Sequence, residues 1–214
     1  MLGHRGARRY APENTIAAFD LALEHGCDGF EFDVRRTADQ QCVICHDADY
    51  KGVKIAQCSF ERLSKQFESL ALLEAIVKRY AAKAFLDIEL KVGGAETAVA
   101  RLLAENPPAR GYVVSSFLPE VLISFQAATP QLTTGLIADR RSDLERWREL
   151  PIQLVIPHYS LCSPQLIAEA HAAGKQVFVW TVNREREMKR FADLGVDGII
   201  SDDTALLCRT LRRP

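Results

Sequence analysis

The sequence predicts an α/β protein, specifically a (β/α)8 TIM barrel with a short insertion after the second strand. Short apolar runs alternate with longer segments of helical periodicity, which is typical of repeated βα units around a parallel sheet. A chain of 214 residues is long enough for a compact barrel of this kind. The predicted barrel strands are residues 2–6, 29–36, 84–91, 112–117, 133–138, 154–158, 176–182 and 198–201, with a further short strand at 42–46.

Local start and stop signals place helices between several of these strands. Pro12-Glu13-Asn14 opens a helix over residues 15–25, and Gly26 lies where a C-terminal cap is expected. Three later segments have similar opening and ending residues. These helices begin at Pro119, Ser163-Pro164 and Arg184, and they end near Ala127, Gly174 and Gly195.

Composition favours a single domain over residues 1–214. The chain is 48% hydrophobic, and no spacer rich in Pro, Gly or Ser divides it. A net charge of −1 provides no basic field for nucleic acid, so we expect no nucleic-acid partner. No apolar run is long enough to span a bilayer. We therefore expect a cytoplasmic protein without stable membrane insertion.

The six cysteines predict reduced thiols rather than a disulfide framework, because a chain of this size needs no covalent staples. Cys42 and Cys45 form a Cys-x-x-Cys pair, but no second pair at zinc spacing follows. Both residues also lie in a predicted strand. We therefore favour neither a zinc site nor redox chemistry.

Acidic residues spaced two apart indicate a metal site. Glu31 and Asp33 would leave the same face of their strand, where two carboxylates repel unless a cation lies between them. Glu89 would supply a third carboxylate, and Lys91 shares its strand face. Carboxylate oxygens suit a hard divalent ion, so the pattern predicts a metal and an ammonium group that converge on an anion.

Two histidines and an arginine complete a candidate phosphodiester site. His4 and His46 each follow a short apolar segment, and imidazoles can exchange protons near neutral pH. We favour His4 as the general base and His46 as the general acid, with the reverse order as the alternative. Arg5 would offer a planar charged fork to phosphate, and Glu13 would brace the loop by a hydrogen bond to Arg5.

Strand ends on the later units predict the substrate pocket, since barrel active sites form at the C-terminal ends of the strands. Phe117, His158 and Trp180 occupy such positions. We interpret them as pocket contacts, with Trp180 as one wall of the pocket. Barrel core is the alternative role for Trp180.

The charged residues also have a structural interpretation. Arg5 alone could be a surface ion-pair partner, and Glu31 and Asp33 alone could pair with Arg35 and Arg36. The arrangement of all these groups at strand ends favours the site interpretation.

These motifs resemble the glycerophosphodiester phosphodiesterase family, a set of barrels related more distantly to phosphatidylinositol-specific phospholipases C. The resemblance begins with Gly3-His4-Arg5-Gly6 and Ala11-Pro12-Glu13-Asn14-Thr15 and continues with Glu31-Phe32-Asp33 and His46-Asp47. Over the rest of the chain it includes Glu89-Leu90-Lys91, Ser115-Ser116-Phe117, Trp180-Thr181-Val182-Asn183 and residues 195–202.

The resemblance implies a role for each matching residue. Glu31, Asp33 and Glu89 would hold one divalent ion, Mg²⁺ or Ca²⁺, with Mn²⁺ as a further candidate. The catalytic acid and base would be His4 and His46, and the phosphate contacts would be Arg5 and Lys91. The implied reaction hydrolyses a small-molecule glycerophosphodiester to sn-glycerol 3-phosphate and an alcohol such as choline, ethanolamine or glycerol. The first nucleophile would be either water or the adjacent glycerol hydroxyl.

The chain departs from the family pattern after His46-Asp47. It reads Ala48-Asp49-Tyr50-Lys51-Gly52 and reaches residues 72–75 without the sizeable insertion that commonly covers the glycerol end. A shortened cover would admit a bulkier leaving group or a different head group. Two alternatives therefore stay open: a lipid phosphodiesterase of the lysophospholipase D type and a non-catalytic phosphosugar-binding barrel.

Overall fold

A closed barrel of eight parallel strands forms the centre of the protein. The computed structural model describes residues 1–67 and 69–212. The barrel strands are β1 (Leu2–Gly3), β2 (Gly29–Arg36), β6 (Phe85–Leu90), β7 (Tyr112–Ser116), β8 (Thr134–Ala138), β9 (Leu154–Pro157), β10 (Gln176–Val179) and β11 (Gly198–Ser201). Each strand pairs in parallel with the next in this order, and β1 closes the sheet by pairing with both β2 and β11. The predicted (β/α)8 barrel is confirmed.

Three short strands lie outside the barrel order, in the segment that follows β2. They are β3 (Cys42–Ile44), β4 (Asp49–Tyr50) and β5 (Val53–Lys54). β3 pairs antiparallel with the end of β2, so that Ile44 lies opposite Val34. The predicted strand at 42–46 is thus present but shorter. Because β3 runs back along β2, the residues after Ile44 return to the mouth of the barrel.

Helices cover the outside of the barrel. They are α1 (Ile16–Glu24), α2 (Phe60–Gln66), α3 (Leu73–Tyr80), α4 (Glu96–Glu105), α5 (Pro119–Ala128), α6 (Arg141–Leu144), α7 (Pro164–Ala172), α8 (Glu185–Asp193) and α9 (Thr204–Leu211). The side chains of Thr15 and Ser163 accept hydrogen bonds from the first turns of α1 and α7. The four predicted helices are present within two residues of their expected ends. No described helix is long and apolar enough to cross a membrane.

Strand alternation divides the core into layers. Outward-facing residues such as Phe30, Phe32 and Leu86 pack against α1, α3 and α4. A second cluster of the same kind lies under α7, α8 and α9. Inward-facing residues fill the barrel itself, and they include Leu2, Val113, Leu154 and Phe178. These side chains fill the barrel below its mouth, and the mouth is the end at which (β/α)8 barrels form their sites.

β1 is shorter than predicted, because the chain leaves the extended conformation directly after Gly3. Arg5 and Gly6 have φ values of 51° and 78°, which lie in the left-handed region rather than in a strand. A Cβ atom at Gly6 would lie 2.7 Å from the backbone of Ala18, so the turn packs directly on α1. The predicted strand over 2–6 is therefore wrong beyond Gly3, and its last residues form a loop over the barrel mouth.

Gly29 should be essential for barrel closure. A Cβ atom there would lie 1.8 Å from the carbonyl oxygen of Phe85, its register partner on β6. We expect Gly29→Ala to lower the free energy of unfolding by about 3 kcal/mol or more, because the clash lies between two backbones that cannot repack. Urea unfolding would measure the loss.

Gly93→Ala is the matched control for Gly29→Ala. Its added methyl group would meet only side-chain atoms, at 3.5 Å or more. The free energy of unfolding should then change by less than about 1 kcal/mol. Equal effects of the two substitutions would contradict the assignment of close strand contact at Gly29.

Candidate functional site

Parallel strands direct one set of side chains into a cavity at the barrel mouth. Glu31 on β2 and Glu89 on β6 reach the cavity from inward-facing strand positions, and Lys91, which directly follows β6, continues the alternation of Glu89. The cavity has a volume of about 210 Å³. Its lining consists of His4, Arg5, Glu31, His46, Asp87, Glu89, Lys91, Phe117, Ile137, Asp139, Ile156, Trp180 and Ile200.

Three buried carboxylates meet at one side of this cavity. Glu31, Asp33 and Glu89 each offer an oxygen atom, and these atoms lie within 4.8 Å of one another. Register explains the meeting, because Asp33 lies directly opposite Glu89 on the paired strands. Among the described residues, Glu31 Oε1 has no hydrogen-bond partner although it is buried. Buried oxygens with unused acceptor capacity at this spacing fit a hard divalent cation.

Two cationic side chains offset part of the negative charge. The Lys91 Nζ atom lies 2.5 Å from Glu89 Oε1 and 3.3 Å from Asp33 Oδ1. The Arg5 Nε atom lies 3.2 Å from Asp33 Oδ2. Both side chains are mostly buried and border the cavity. Cationic groups that are mostly buried attract an anion more strongly than they would in bulk water.

Burial controls the protonation of the acidic cluster. It raises the pKa of Glu31 well above the ordinary value, and repulsion from Asp33 and Glu89 adds to this effect. The pKa of Glu89 is raised to about 7 by burial and then by Asp33. Burial also acts to raise the pKa of Asp33, but Arg5 and Lys91 outweigh it, and the net shift is downward. Arg5 and Lys91 thus stabilise the ionised form of Asp33, whereas ionisation of Glu31 and Glu89 is disfavoured.

Asp202 orients His4. The Nδ1 atom of His4 lies 2.7 Å from Asp202 Oδ1, and its Nε2 atom lies 3.9 Å from Glu31 Oε2. The Nε2 atom thus points toward the acidic cluster. Asn183 donates a hydrogen bond to the other oxygen of Asp202 and holds it in place. Burial lowers the pKa of His4 despite the opposing effect of Asp202, which favours the neutral imidazole.

His46 enters the site from the segment outside the barrel. It lies two residues beyond the end of β3, and its Nδ1 atom is 2.7 Å from Asp47 Oδ1. Arg35 donates a hydrogen bond to its backbone carbonyl oxygen. The sequence placed His46 at the end of a strand, and the structure shows that this strand is antiparallel to β2. His4 and His46 line the same cavity.

The first loop is held over the carboxylates by polar contacts. Arg5 donates a hydrogen bond from Nη1 to Glu13 at 2.8 Å, which is the contact expected from the sequence. The backbone N–H of Arg5 donates to Glu31 Oε2 at 2.8 Å. Asn14 donates from its side chain to Asp33 Oδ2 at 2.8 Å. Sequence reasoning missed Asn14 as a site residue, although Asn14 belongs to the motif that follows the loop.

The predicted pocket residues divide into two groups. Phe117 and Trp180 line the cavity, and their rings meet edge to face at 5.5 Å between centroids. His158 lies against Trp180 at 5.4 Å between centroids and is not a lining residue. The structure therefore places His158 as a support for Trp180.

Two further acidic residues of the cavity were missed by sequence reasoning. Asp87 lies one inward position below Glu89, and Ser115 donates a hydrogen bond to it. Burial raises the pKa of Asp87 to about 7. Asp139 follows the end of β8 directly. Asp87 lies two residues before Glu89, just as Lys91 lies two residues after it. The spacing that identified Lys91 would therefore also have identified Asp87.

We expect Glu31→Gln to stabilise the metal-free protein at pH 7.5. In the unfolded chain this carboxyl group ionises near pH 4.5, but in the folded protein its pKa is much higher. Ionisation of Glu31 therefore lowers the stability of the parent as pH rises above about 4.5, and the neutral amide removes this contribution. The free energy of unfolding of Glu31→Gln should therefore exceed that of the parent at this pH. Urea unfolding with a chelator present would measure this gain.

Two further observations complete this test. The stability difference should disappear below about pH 4, where the parent carboxyl group is protonated in both states. Added Mg²⁺ should stabilise the parent and have little effect on the variant. Glu24→Gln, at the exposed end of α1, is the matched control. A variant that is less stable than the parent at every pH would contradict the assignment of a strained acidic cluster.

Comparison with known proteins identifies the family. Residues 4–206 match the model of the glycerophosphoryl diester phosphodiesterase family. A glycerophosphodiester phosphodiesterase of Caldanaerobacter subterraneus is 30% identical, with 100% of this chain and 98% of the relative covered.

Two solved structures share the fold. The glycerophosphodiester phosphodiesterase of Thermotoga maritima superimposes with a TM-score of 0.86 at 25% identity, over 99% of this chain and 97% of that one. An Oleispira antarctica phosphodiesterase, solved in complex with the product sn-glycerol-3-phosphate, also has a TM-score of 0.86 and 25% identity, over 98% and 95% of the two chains. The barrel, the acidic cluster at its mouth and the match along nearly the whole sequence lead to one conclusion: this chain belongs to the glycerophosphoryl diester phosphodiesterase family.

Proposed function

We propose that this protein hydrolyses glycerophosphodiesters to sn-glycerol 3-phosphate and an alcohol, with a divalent metal ion and histidine acid–base catalysis. The observation that carries the proposal is the convergence of three buried carboxylates, two cationic side chains and two histidines on one cavity. The activity for which the relatives are named, and the product bound to the Oleispira antarctica protein, support the same reaction.

Glu31, Asp33 and Glu89 would hold the metal ion. An ion bound there would neutralise phosphate charge as a Lewis acid. An all-carboxylate donor set suits Mg²⁺, Ca²⁺ or Mn²⁺ better than a softer metal. The buried oxygen of Glu31 that lacks a hydrogen-bond partner is the structural support for this assignment.

Arg5 and Lys91 would bind the non-bridging oxygens of the phosphate. Both line the cavity beside the acidic cluster. Contacts with Glu13, Asp33 and Glu89 fix their side chains before substrate arrives. Donors and charges that are already oriented stabilise developing negative charge without reorganisation at the moment of reaction. Arg5 offers a planar fork and Lys91 a compact charge, so the two contacts would be complementary.

His4 and His46 would transfer the protons. His4 is the better candidate for the base, because its Nδ1 atom is engaged by Asp202 and burial favours the neutral ring. Its Nε2 atom would then accept a proton from the nucleophile. His46 has Nδ1 engaged by Asp47 and would donate a proton to the departing alkoxide. Asp202 would be a positioning residue that holds the tautomer and orientation of His4.

Release of sn-glycerol 3-phosphate from a panel of diesters tests the proposed function. The panel consists of glycerophosphocholine, glycerophosphoethanolamine, glycerophosphoglycerol and lysophospholipids. We expect turnover of at least one water-soluble diester, its loss with a chelator, and its recovery with Mg²⁺, Ca²⁺ or Mn²⁺. Cleavage of lysophospholipids alone would replace the proposal with a lysophospholipase D-type activity. Absence of turnover with every metal would favour a phosphate-binding barrel.

We expect replacement of either His4 or His46 by Ala to lower kcat about 10²- to 10⁴-fold, because each substitution removes a proton-transfer group. His171→Ala is the matched control, since His171 lies on α7 and pairs with Asp197 away from the cavity. Steady-state kinetics on the best diester would measure the effect. An active-site role for His46 would be contradicted by a purified His46→Ala protein with the kcat of the parent.

A further inference from the structure

One inward-facing residue, near or just after the C-terminal end of each barrel strand, belongs to a ring around the barrel mouth. In each strand this residue lies two positions above an inward residue of the layer below, as Lys91 does above Glu89 and Trp180 above Phe178. We call these eight positions the mouth ring. In barrel order they are His4, Asp33, Lys91, Phe117, Asp139, His158, Trp180 and Asp202.

Asp139 belongs to this ring because it directly follows β8. Ile137 packs inside the barrel, whereas Ala138 packs on the outer side against the helices. Alternation therefore directs Asp139 inward again, and it does line the cavity. Ile137 and Ile156 also line this cavity.

The mouth ring divides into two arcs of different chemistry. The arc from β11 through β1 and β2 to β6 carries Asp202, His4, Asp33 and Lys91, which adjoin the phosphate-binding and acidic groups. The opposite arc, from β7 to β10, carries Phe117, Asp139, His158 and Trp180. Asp139 is the single carboxylate of that second arc.

The other polar members of the mouth ring have polar partners. Asp202 contacts His4, Asp33 accepts a hydrogen bond from Asn14, and Lys91 pairs with Glu89. His158 contacts Ser160, and Trp180 donates to a backbone carbonyl oxygen. Within residues 1–67 and 69–212, the side chain of Asp139 makes no hydrogen bond or ion pair. It is an exposed carboxylate with all its acceptor sites available to a ligand.

The proposed reaction determines which part of the substrate reaches this arc. His46 lies beside β2, beyond the end of the antiparallel β3, so an alcohol that it protonates would leave on that side. This placement reverses the expectation from the family resemblance, in which the segment after His46-Asp47 covers the glycerol end. The glycerol arm would then extend from the phosphate toward β7–β10. Isoleucine and aromatic side chains there suit its carbon chain, and a carboxylate suits a hydroxyl donor.

We propose that Asp139 is a specificity-determining residue whose carboxylate accepts a hydrogen bond from the terminal hydroxyl of the glycerol arm. This inference rests on the proposed function and adds to it the group that recognises glycerol. A negative charge in the second arc also disfavours a second phosphate group at this end of the substrate.

A cycle of two substrates and two proteins tests the proposal. The substrates are glycerophosphocholine and its analogue without the terminal hydroxyl, propane-1,2-diol phosphocholine. The proteins are the parent and Asp139→Ala. For the parent, loss of the hydroxyl should lower kcat/KM about 10- to 100-fold, because the contact is a hydrogen bond to a charged group. For Asp139→Ala the two substrates should differ less than about threefold, since the partner of the hydroxyl is gone.

Inhibition by product gives a second readout that does not depend on turnover of the analogue. The inhibition constant of sn-glycerol 3-phosphate should rise about 10-fold or more in Asp139→Ala, and that of its 1-deoxy analogue should change little. Asp139→Asn, which keeps the shape of the side chain and one acceptor oxygen, should fall between the parent and Asp139→Ala. Asp193→Ala, at the exposed end of α8, is the matched control.

Three outcomes separate the possibilities. Loss of hydroxyl discrimination in an active Asp139→Ala protein supports the proposal. Equal discrimination in both proteins, or an equal fall of kcat/KM on both substrates, overturns it while the proposed function stands. A parent protein that releases no sn-glycerol 3-phosphate in the presence of any metal overturns the proposed function, and the inference fails with it.

Discussion

Mutual repulsion among buried carboxylates is the constraint on which the site depends. Glu31, Asp33 and Glu89 lie too close together and too far from water to be ionised without cations nearby. Lys91 and Arg5 supply part of the compensation, and both are held against Asp33. The same electrostatic field would favour a divalent ion at this position, as the proposed function requires. Repulsion among the carboxylates thus lowers the stability of the barrel mouth, whereas the lower layers of the barrel are closely packed.

Strand alternation places polar and aromatic side chains at the barrel mouth in a regular order. Each strand contributes one inward residue to each layer, so the chemistry at the mouth can change without disturbing the outward residues that pack under the helices. Pairing in register then determines which groups meet. Asp33 lies opposite Glu89 because β2 and β6 are aligned at Gly29 and Phe85, where only glycine allows so close an approach. The geometry of the acidic cluster therefore depends on a backbone contact at the far end of the same two strands.

Much of the site could be predicted because its signals are local in sequence. The spacing of Glu31 and Asp33, and that of Glu89 and Lys91, requires only knowledge of a strand and its period. The bracing of Arg5 by Glu13 also acts over a short distance along the chain. The fold could be predicted for a similar reason, since β-branched runs and helix caps recur in a regular order.

Other features depend on distant contacts and left no comparable signal. The partnership of His4 with Asp202 joins opposite ends of the sequence, and β1 ends early because the loop after Gly3 packs on α1. The antiparallel direction of β3 follows from a tight connection to β2 that the apolar pattern of 42–46 does not encode. Asp139 was missed because a single aspartate after a strand has no motif around it. Its position becomes informative only when it is compared with the residues at the ends of the other seven barrel strands.

The antiparallel return of β3 places the two histidines in different structural units. His4 follows a strand of the closed barrel, whereas His46 follows a strand that lies outside the barrel order. Insertions or deletions between β3 and α3 can therefore change the surroundings of His46, while β2 and β6 keep the carboxylates in register. One of the two proposed proton-transfer groups thus belongs to the closed barrel, and the other belongs to the segment outside it. Under the proposed function, this division would allow the surroundings of the departing alcohol to change while the three carboxylates keep their positions.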